Sequence, residues 1–141
     1  MYVDTTVFMY AMGGESRFKE ACARILRAGA TDRAVLVTSA ETLQEVLHRY
    51  RSIGREADMR ITFEAVAAAV RRIISVTAED MEEARRLGER VSRESGVSAR
   101  DLVHAAVARR QGLREILTLD AGFGFIPGVV VVDPLQCDLN E

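Results

Sequence analysis

The chain has 141 residues, of which 48% are hydrophobic and 28% charged, and its formal net charge is −2 at pH 7. This length and composition are typical of one globular domain, residues 1–141, and the weak negative charge argues against a protein that coats nucleic acid nonspecifically. No apolar run approaches the roughly 20 residues that cross a bilayer, and no signal-peptide pattern stands at the start, so we expect a cytoplasmic protein without membrane contact. Cys22 and Cys137 form no CxxC pair, which fits reduced thiols.

Short runs rich in β-branched residues alternate along the chain with segments of helical periodicity. The first run ends on Asp4 and leads into a helix that begins with residues 7–11. The next helix covers residues 16–28, with Gly29 as its expected end. The remaining predicted elements are a strand at 34–38, a helix capped by Ser39, a helix at 57–70, a strand at 72–76, a helix capped by Thr77 and running to about Arg93, a helix at 98–111, a strand at 115–119, a turn or short helical piece at 121–125, and a strand at 129–132.

This alternation predicts the α/β class. Strands separated by helices run parallel, because each helix carries the chain back over a face of the sheet. We therefore predict a single-domain, three-layer α/β/α sandwich with a central, mostly parallel sheet of four to five strands. The apolar side of the helix at 57–70 is expected to belong to the core, and a dimer or partner-docking surface is the alternative.

Acidic residues occur at positions that this fold would bring together. Asp4 and Asp120 each end a predicted strand, so both are expected at the carboxyl edge of the sheet, where α/β proteins build their sites. Glu45 lies within two turns of the start of a helix that begins at the same edge. Asp101 reaches that edge only if the chain first crosses back after the preceding helix.

Each of these acids also has a local explanation when it is taken singly. Asp4 and Asp120 can cap the segments that follow them, and Glu45 can lie on a solvated helix face. Ser98 and Asp101 have the S-x-x-D spacing of a capping box. The argument for a site therefore depends on all four acids being present together in the appropriate elements.

Four carboxylates at one edge would repel one another, by about 4 kcal/mol for two charges about 4 Å apart at an effective dielectric near 20. A divalent cation removes that repulsion, and Mg²⁺ or Mn²⁺ prefers oxygen ligands. A metal held by carboxylates can activate a water molecule and stabilise charge on a phosphoryl oxygen. The pattern thus favours metal-dependent phosphoryl chemistry.

Four segments of the chain resemble the motifs of the PIN-domain ribonucleases, and of the VapC-type toxins in particular. The segments are YVDTTVFMYA, TSAETLQEVLHRY, SARDLVHAA and LTLDAGF, and they place Asp4, Glu45, Asp101 and Asp120 respectively. Thr118 supplies the polar residue ahead of Asp120. One departure is that many relatives carry an acid two residues after the position of Asp120, where this chain has Gly122, so a second metal site is expected to be weaker or absent.

The resemblance implies a Mg²⁺- or Mn²⁺-dependent endoribonuclease that cleaves the RNA phosphodiester with a metal-activated water and leaves a 5′-phosphate. It also implies a homodimer and a VapB-like antitoxin that inserts a segment and blocks the site. As a hypothesis, Asp4 and Asp101 bind the metal directly or through water, Asp120 completes the site, and Glu45 orients or deprotonates the attacking water. Thr5 and Thr118 supply hydroxyl hydrogen bonds.

Two histidines follow these acids at helical spacing, since His48 and His104 stand three residues after Glu45 and Asp101. A di-iron bundle uses Glu-x-x-His, but it needs two such motifs and further glutamates on four long helices, which the predicted strands exclude. We expect the imidazoles to pack beside the helices or to orient the carboxylates, and we do not assign them as metal ligands.

Other functions on similar sheets need residues that this chain lacks. Lys19 is the single lysine and lies on a helix, away from the edge where receiver domains and haloacid-dehalogenase-type phosphatases need one. Neither GxGxxG nor GxxxxGK[ST] is present, so nucleotide binding of those kinds has no support. The alternative that remains is a catalytically weak PIN-like domain that binds RNA or a protein partner.

Overall fold

The computed structural model describes residues 1–139, so residues 140 and 141 of the predicted domain lie outside the described part. Its strands are β1 Tyr2–Val3, β2 Val37–Ser39, β3 Arg72–Ile74, β4 Glu115–Leu117 and β5 Val130–Val132. Its α-helices are α1 Thr5–Met12, α2 Lys19–Ala30, α3 Ala40–Ser52, α4 Glu56–Ala69, α5 Ala78–Glu89 and α6 Ala99–Arg110. Short 3₁₀ helices cover Arg93–Ser95 and Ala121–Phe125.

The strands form one sheet in the order β3-β2-β1-β4-β5, and every pairing between neighbours is parallel. Successive side chains of a strand face opposite sides of the sheet. Tyr2 and Ile116 belong to the core cluster that includes α5 and α6, whereas Val3 and Leu117 belong to the cluster that includes α1, α2 and α4. The predicted three-layer α/β/α sandwich is therefore confirmed.

The chain order of the elements agrees with the prediction, and the differences concern their ends. The strands are shorter than predicted, and α5 ends at Glu89 rather than near Arg93. The expected helix end at Gly29 is wrong, because α2 continues to Ala30. A Cβ atom on Gly29 would lie 2.1 Å from the carbonyl oxygen of Ala69, so this glycine allows α2 to approach α4 closely.

Helix α4 packs its apolar side into the core. Val66, Ala69 and Val70 are buried, and Ala67 faces solvent. The assignment of this side mainly to the core is confirmed. No helix within residues 1–139 has both the length and the low charge content that crossing a bilayer requires.

The return of the chain to the carboxyl edge depends on the packing of α5 against α6. Arg110, the last residue of α6, donates to both carboxylate oxygens of Asp80 in the first turn of α5, at 2.7 and 2.9 Å. At the other end, a Cβ atom on Gly88 of α5 would lie 3.1 Å from Leu102 of α6. The two helices are therefore antiparallel, so α6 begins at the end of the fold to which α5 has carried the chain.

We predict that Asp80→Asn lowers the free energy of unfolding at pH 7 by about 1–2 kcal/mol, because Asp80 both completes the capping box of α5 and binds Arg110. Burial raises the pKa of Asp80, but the hydrogen bonds from Arg110 and Thr77 outweigh it, and the pKa lies below its ordinary value. The stabilisation is therefore complete above about pH 3.9 and disappears as the pH falls through the lowered pKa.

Urea unfolding of the wild type and the variant at pH 7 and at about pH 3 measures this dependence. Asp58→Asn is the matched control, because Asp58 forms an exposed pair with Arg55 and its loss should change little at either pH. An equal loss of stability for Asp80→Asn at both pH values would contradict the assigned ion pair.

Candidate active site

Asp4 follows β1 directly and is the N-cap of α1. Its Oδ2 atom accepts hydrogen bonds from the backbone N–H of Thr6 at 3.3 Å, from the Thr6 hydroxyl at 2.7 Å and from the Thr118 hydroxyl at 2.8 Å. The carboxylate is buried and its orientation is fixed by these donors. Its other oxygen, Oδ1, lies 3.6 Å from Nε2 of His104.

Glu45 projects from the second turn of α3 toward the same place. Its Oε1 atom accepts from His104 Nε2 at 2.6 Å and from the Thr5 hydroxyl at 3.1 Å. His104 lies one turn after Asp101 on α6 and is completely buried. Asp4, Glu45 and His104 thus bring one ligand atom each within 4.8 Å of one another.

The imidazole of His104 is held from its other side as well. Its Nδ1 atom lies 2.7 Å from the hydroxyl of Tyr2, which donates to Ser39 at 2.7 Å. Thr5 continues the polar contacts, because its hydroxyl oxygen, which donates to Glu45, also lies 3.2 Å from the hydroxyl oxygen of Thr42. Within residues 1–139, no buried polar side-chain atom lacks a hydrogen-bond partner.

The pKa of His104 is raised above its ordinary value. Burial alone would lower it, but the hydrogen bond with Glu45 and the negative charges of Asp4, Glu45 and Glu41 together outweigh burial. The imidazole therefore takes up positive charge more readily than an ordinary histidine. This charge offsets part of the repulsion between the neighbouring carboxylates.

Asp101 is the N3 residue of α6 and completes a capping box with Ser98. Its Oδ2 atom accepts from the backbone N–H of Ser98 at 2.7 Å, and its own N–H donates to the Ser98 hydroxyl at 3.2 Å. Burial raises the pKa of Asp101, and the negative charges of Asp120 and Asp4 raise it further, against the hydrogen bonds with Ser98. The three aspartates therefore share one electrostatic environment.

Asp120 follows β4 and caps the short 3₁₀ helix that comes next. Its Oδ1 atom accepts from the backbone N–H of Gly122 at 2.8 Å. Its backbone N–H donates to the Thr118 hydroxyl at 2.9 Å, and the same hydroxyl donates to Asp4. Thr118 thereby links the two strand ends, while Asp101 and Asp120 lie outside the tighter group formed by Asp4, Glu45 and His104.

Each of the four acids has one oxygen that is bound to the protein and one that is not. The unbound oxygens accept no hydrogen bond from residues 1–139, and none of them is sealed from solvent. They are Asp4 Oδ1, Glu45 Oε2, Asp101 Oδ1 and Asp120 Oδ2. Oriented, accessible carboxylate oxygens are the donors that a hard divalent cation takes, so the residue types fit such an ion.

The sequence prediction did not include Tyr2 and did not assign His104 as a ligand. Tyr2 precedes Asp4 by two residues on a strand, so the two side chains share a face of the sheet. His104 follows Asp101 by one helical turn. These spacings predict a common side of each element, and the long-range bond between Tyr2 and His104 could not be read from them. His48 is exposed on α3 and does not join the group.

A comparison with protein families assigns residues 1–127 to the PIN domain. The chain belongs to the PIN-domain family. Ribonuclease VapC23 of Mycobacterium tuberculosis is 37% identical over 120 residues, which is 85% of this chain and 92% of that protein. This PIN domain therefore has curated ribonucleases among its relatives along most of its length.

Solved structures share the fold of this PIN domain. VapC20 of Mycobacterium tuberculosis, a toxin that cleaves the sarcin-ricin loop, matches with a TM-score of 0.71 at 22% identity, over 87% of this chain and 92% of its own. VapBC2 of Rickettsia felis, crystallised with a DNA fragment from its promoter, matches with a TM-score of 0.72 at 15% identity, over 93% and 96%. At such identities the agreement concerns the fold.

We predict that Tyr2→Phe lowers the free energy of unfolding by about 1–3 kcal/mol, because it leaves His104 Nδ1 without a partner in the core and removes one of the two hydrogen bonds of the Ser39 hydroxyl. Urea unfolding measures the change. Tyr50→Phe is the matched control, since the Tyr50 side chain is buried and makes no side-chain hydrogen bond with the described residues. Equal stability losses in the two variants would show that the Tyr2 hydroxyl has no special part in holding His104.

Proposed function

We propose that this PIN domain is a metal-dependent endoribonuclease and the toxin of a toxin–antitoxin pair. The proposal is carried by the cluster in which Asp4 and Glu45 both lie next to His104. Asp101 and Asp120 belong to the same electrostatic environment, and each of the four acids has one oxygen that accepts no hydrogen bond. The relatives named as ribonucleases support RNA as the substrate class.

The cation that suits this donor set is Mg²⁺ or Mn²⁺. Both ions prefer carboxylate oxygens and retain several waters, which an open edge of the sheet allows. Asp4, Asp101 and Asp120 would hold this cation, and Glu45 would lie beside it. When bound, a divalent cation supplies Lewis acidity toward a phosphoryl oxygen and toward an attacking water.

The side chains of the protein have separate parts in the proposed reaction. Thr6 and Thr118 hold Asp4 by its Oδ2 atom and leave Oδ1 without a hydrogen bond, so that Oδ1 can bind a cation. His104 and Thr5 hold Glu45 in the same way, so that Oε2 of Glu45 can accept a proton from the water that attacks the phosphodiester. Glu45 is thus proposed as the general base.

The proposed partners are RNA, a VapB-like antitoxin and a second copy of the chain. The structural match to VapBC2 supports an antitoxin partner, and the family resemblance implies that this partner inserts a segment and blocks the acids. The homodimer is inferred from the family resemblance alone. The individual site residues are inferred from that resemblance together with the geometry described above.

We predict that Asp4→Asn and Asp101→Asn each reduce metal-dependent cleavage of a mixed RNA pool by at least about 100-fold, because ligand loss removes several kcal/mol of charge stabilisation. Asparagine still accepts the capping hydrogen bonds, so the fold should persist. Asp32→Asn is the matched control, because Asp32 lies exposed in the left-handed region with φ 56° and asparagine tolerates that conformation. Full cleavage by either active-site variant would contradict the proposal.

We also predict that Mg²⁺ or Mn²⁺ raises the melting temperature of the wild type but not that of Asp4→Asn. A ligand that binds only the folded state stabilises it by about 2.7 kcal/mol at 100 times its Kd. Thermal unfolding with EDTA, Mg²⁺ or Mn²⁺ measures the shift, with Asp32→Asn expected to behave as the wild type. A shift that survives in Asp4→Asn would place the cation elsewhere.

A further inference from the structure

A groove of about 540 Å³ opens beside the acidic site, between α1 and α3. Its inner end is formed by Thr5 and Glu45, which belong to the site already described. From there it follows α3 to Ile53 at the end of that helix, with α1 as the opposite wall. The nine residues from Glu45 to Ile53 span about 12 Å at the helical rise, which is about the length of three stacked nucleotides.

Positive side chains line this groove. Arg49 and Arg100 are exposed, and neither has a described carboxylate within 4.0 Å, whereas Arg55 at the far end pairs with Asp58 at 2.6 Å. His48 is exposed on the same stretch of α3. An unpaired guanidinium retains its donors for bidentate contacts with an anion, and a phosphate group matches the geometry of these donors.

An aromatic side chain stands among these charges. Tyr10 of α1 lines the groove and is 38% exposed. Its ring is fixed from one side by the edge-to-face contact with Phe18, at 5.2 Å between centroids. A supported and accessible ring next to guanidinium groups is the arrangement on which bases of a single strand stack.

We propose that this groove binds the single-stranded part of the RNA next to the cleaved phosphodiester, with Arg49 and Arg100 on its phosphates and Tyr10 under one base. The inference rests on the proposed function, because RNA is its ligand and Glu45 lies at its inner end. A protein segment is less suited to the groove, since the pattern of two unpaired arginines with one exposed ring matches a phosphate–base repeat.

The test measures binding without cleavage. A labelled single-stranded RNA of about ten nucleotides is titrated with the full chain in EDTA at several salt concentrations. Arg49→Ala should weaken binding severalfold and lower the slope of log K against log salt by about 0.7, the value for one phosphate contact on a single strand. Arg33→Ala is the matched control, because Arg33 is also exposed without a carboxylate partner and lies outside the groove, in the connection between α2 and β2.

Tyr10 is tested in the same titration. Tyr10→Leu should weaken binding by at least about fivefold without changing the salt slope, because stacking on an aromatic ring is lost while no phosphate contact is removed. Tyr10→Phe should bind as the wild type, since it retains the ring. Loss of affinity in Tyr10→Phe equal to that in Tyr10→Leu would overturn the stacking platform.

The outcomes separate this inference from the proposed function. If the wild type cleaves RNA and Arg49→Ala binds it like Arg33→Ala, the groove inference is overturned and the nuclease stands. If the wild type cleaves no RNA but Arg49→Ala still loses affinity, the groove stands and the nuclease fails. If Arg49→Ala binds RNA normally but loses affinity for an acidic peptide, the groove serves a protein and the inference is overturned.

Discussion

Three of the four acids at the carboxyl edge stand at the beginning of a helix, and this placement makes their mutual repulsion tolerable. Asp4 is the N-cap of α1, Asp101 is the N3 residue of α6, and Asp120 caps the 3₁₀ helix that follows β4. At such positions the backbone N–H groups have no partner within the helix, and the positive end of an α-helix dipole favours a carboxylate. The sheet topology brings these negative charges to one edge, and the helix starts stabilise them, so that the fold tolerates their repulsion.

Glu45 is the exception, because it lies in the second turn of α3, away from the free N–H groups. His104 of α6 replaces these N–H groups as the donor to Glu45, and its pKa is raised. The imidazole is itself fixed by Tyr2. A buried polar network in which every member has a partner is rigid, since any departure leaves a polar atom unpaired at a high cost. The position of Glu45 therefore depends on residues that do not touch a substrate.

Much of the site was predictable because strand ends and helix starts are local features. Asp4 and Asp120 were located by the strands that they end, and the capping box of Ser98 and Asp101 was visible as S-x-x-D and is present. The contacts that orient these acids could not be predicted, because they join distant parts of the chain. The bond between Tyr2 and His104 spans 102 residues, and a sequence pattern gives the face of an element but not what meets it.

The predicted ends of some helices and strands were wrong for the same physical reason, because contacts between distant parts of the chain decide them. Gly29 has the local character of a helix stop, but a close approach between α2 and α4 decides its role, and the helix continues beyond it. Ser39 caps α3 as predicted, and it is also the last residue of β2, one residue beyond the predicted end of that strand. The preference of glycine against a helix interior is worth about 1 kcal/mol, and tertiary packing can outweigh a free energy of that size.

The charges around the site also explain how a weakly acidic chain can bind a polyanion. The net charge of −2 belongs to the whole chain, and the surface around the site contains two neighbouring regions of opposite sign, an acidic edge and an arginine-lined groove. The acids repel phosphate until a cation is present, whereas the guanidinium groups attract it at any time. Affinity and cleavage therefore depend on different side chains. Because Lys19 is the one lysine among 19 basic residues, nearly all of that attraction comes from guanidinium groups, whose planar donors set direction as well as charge.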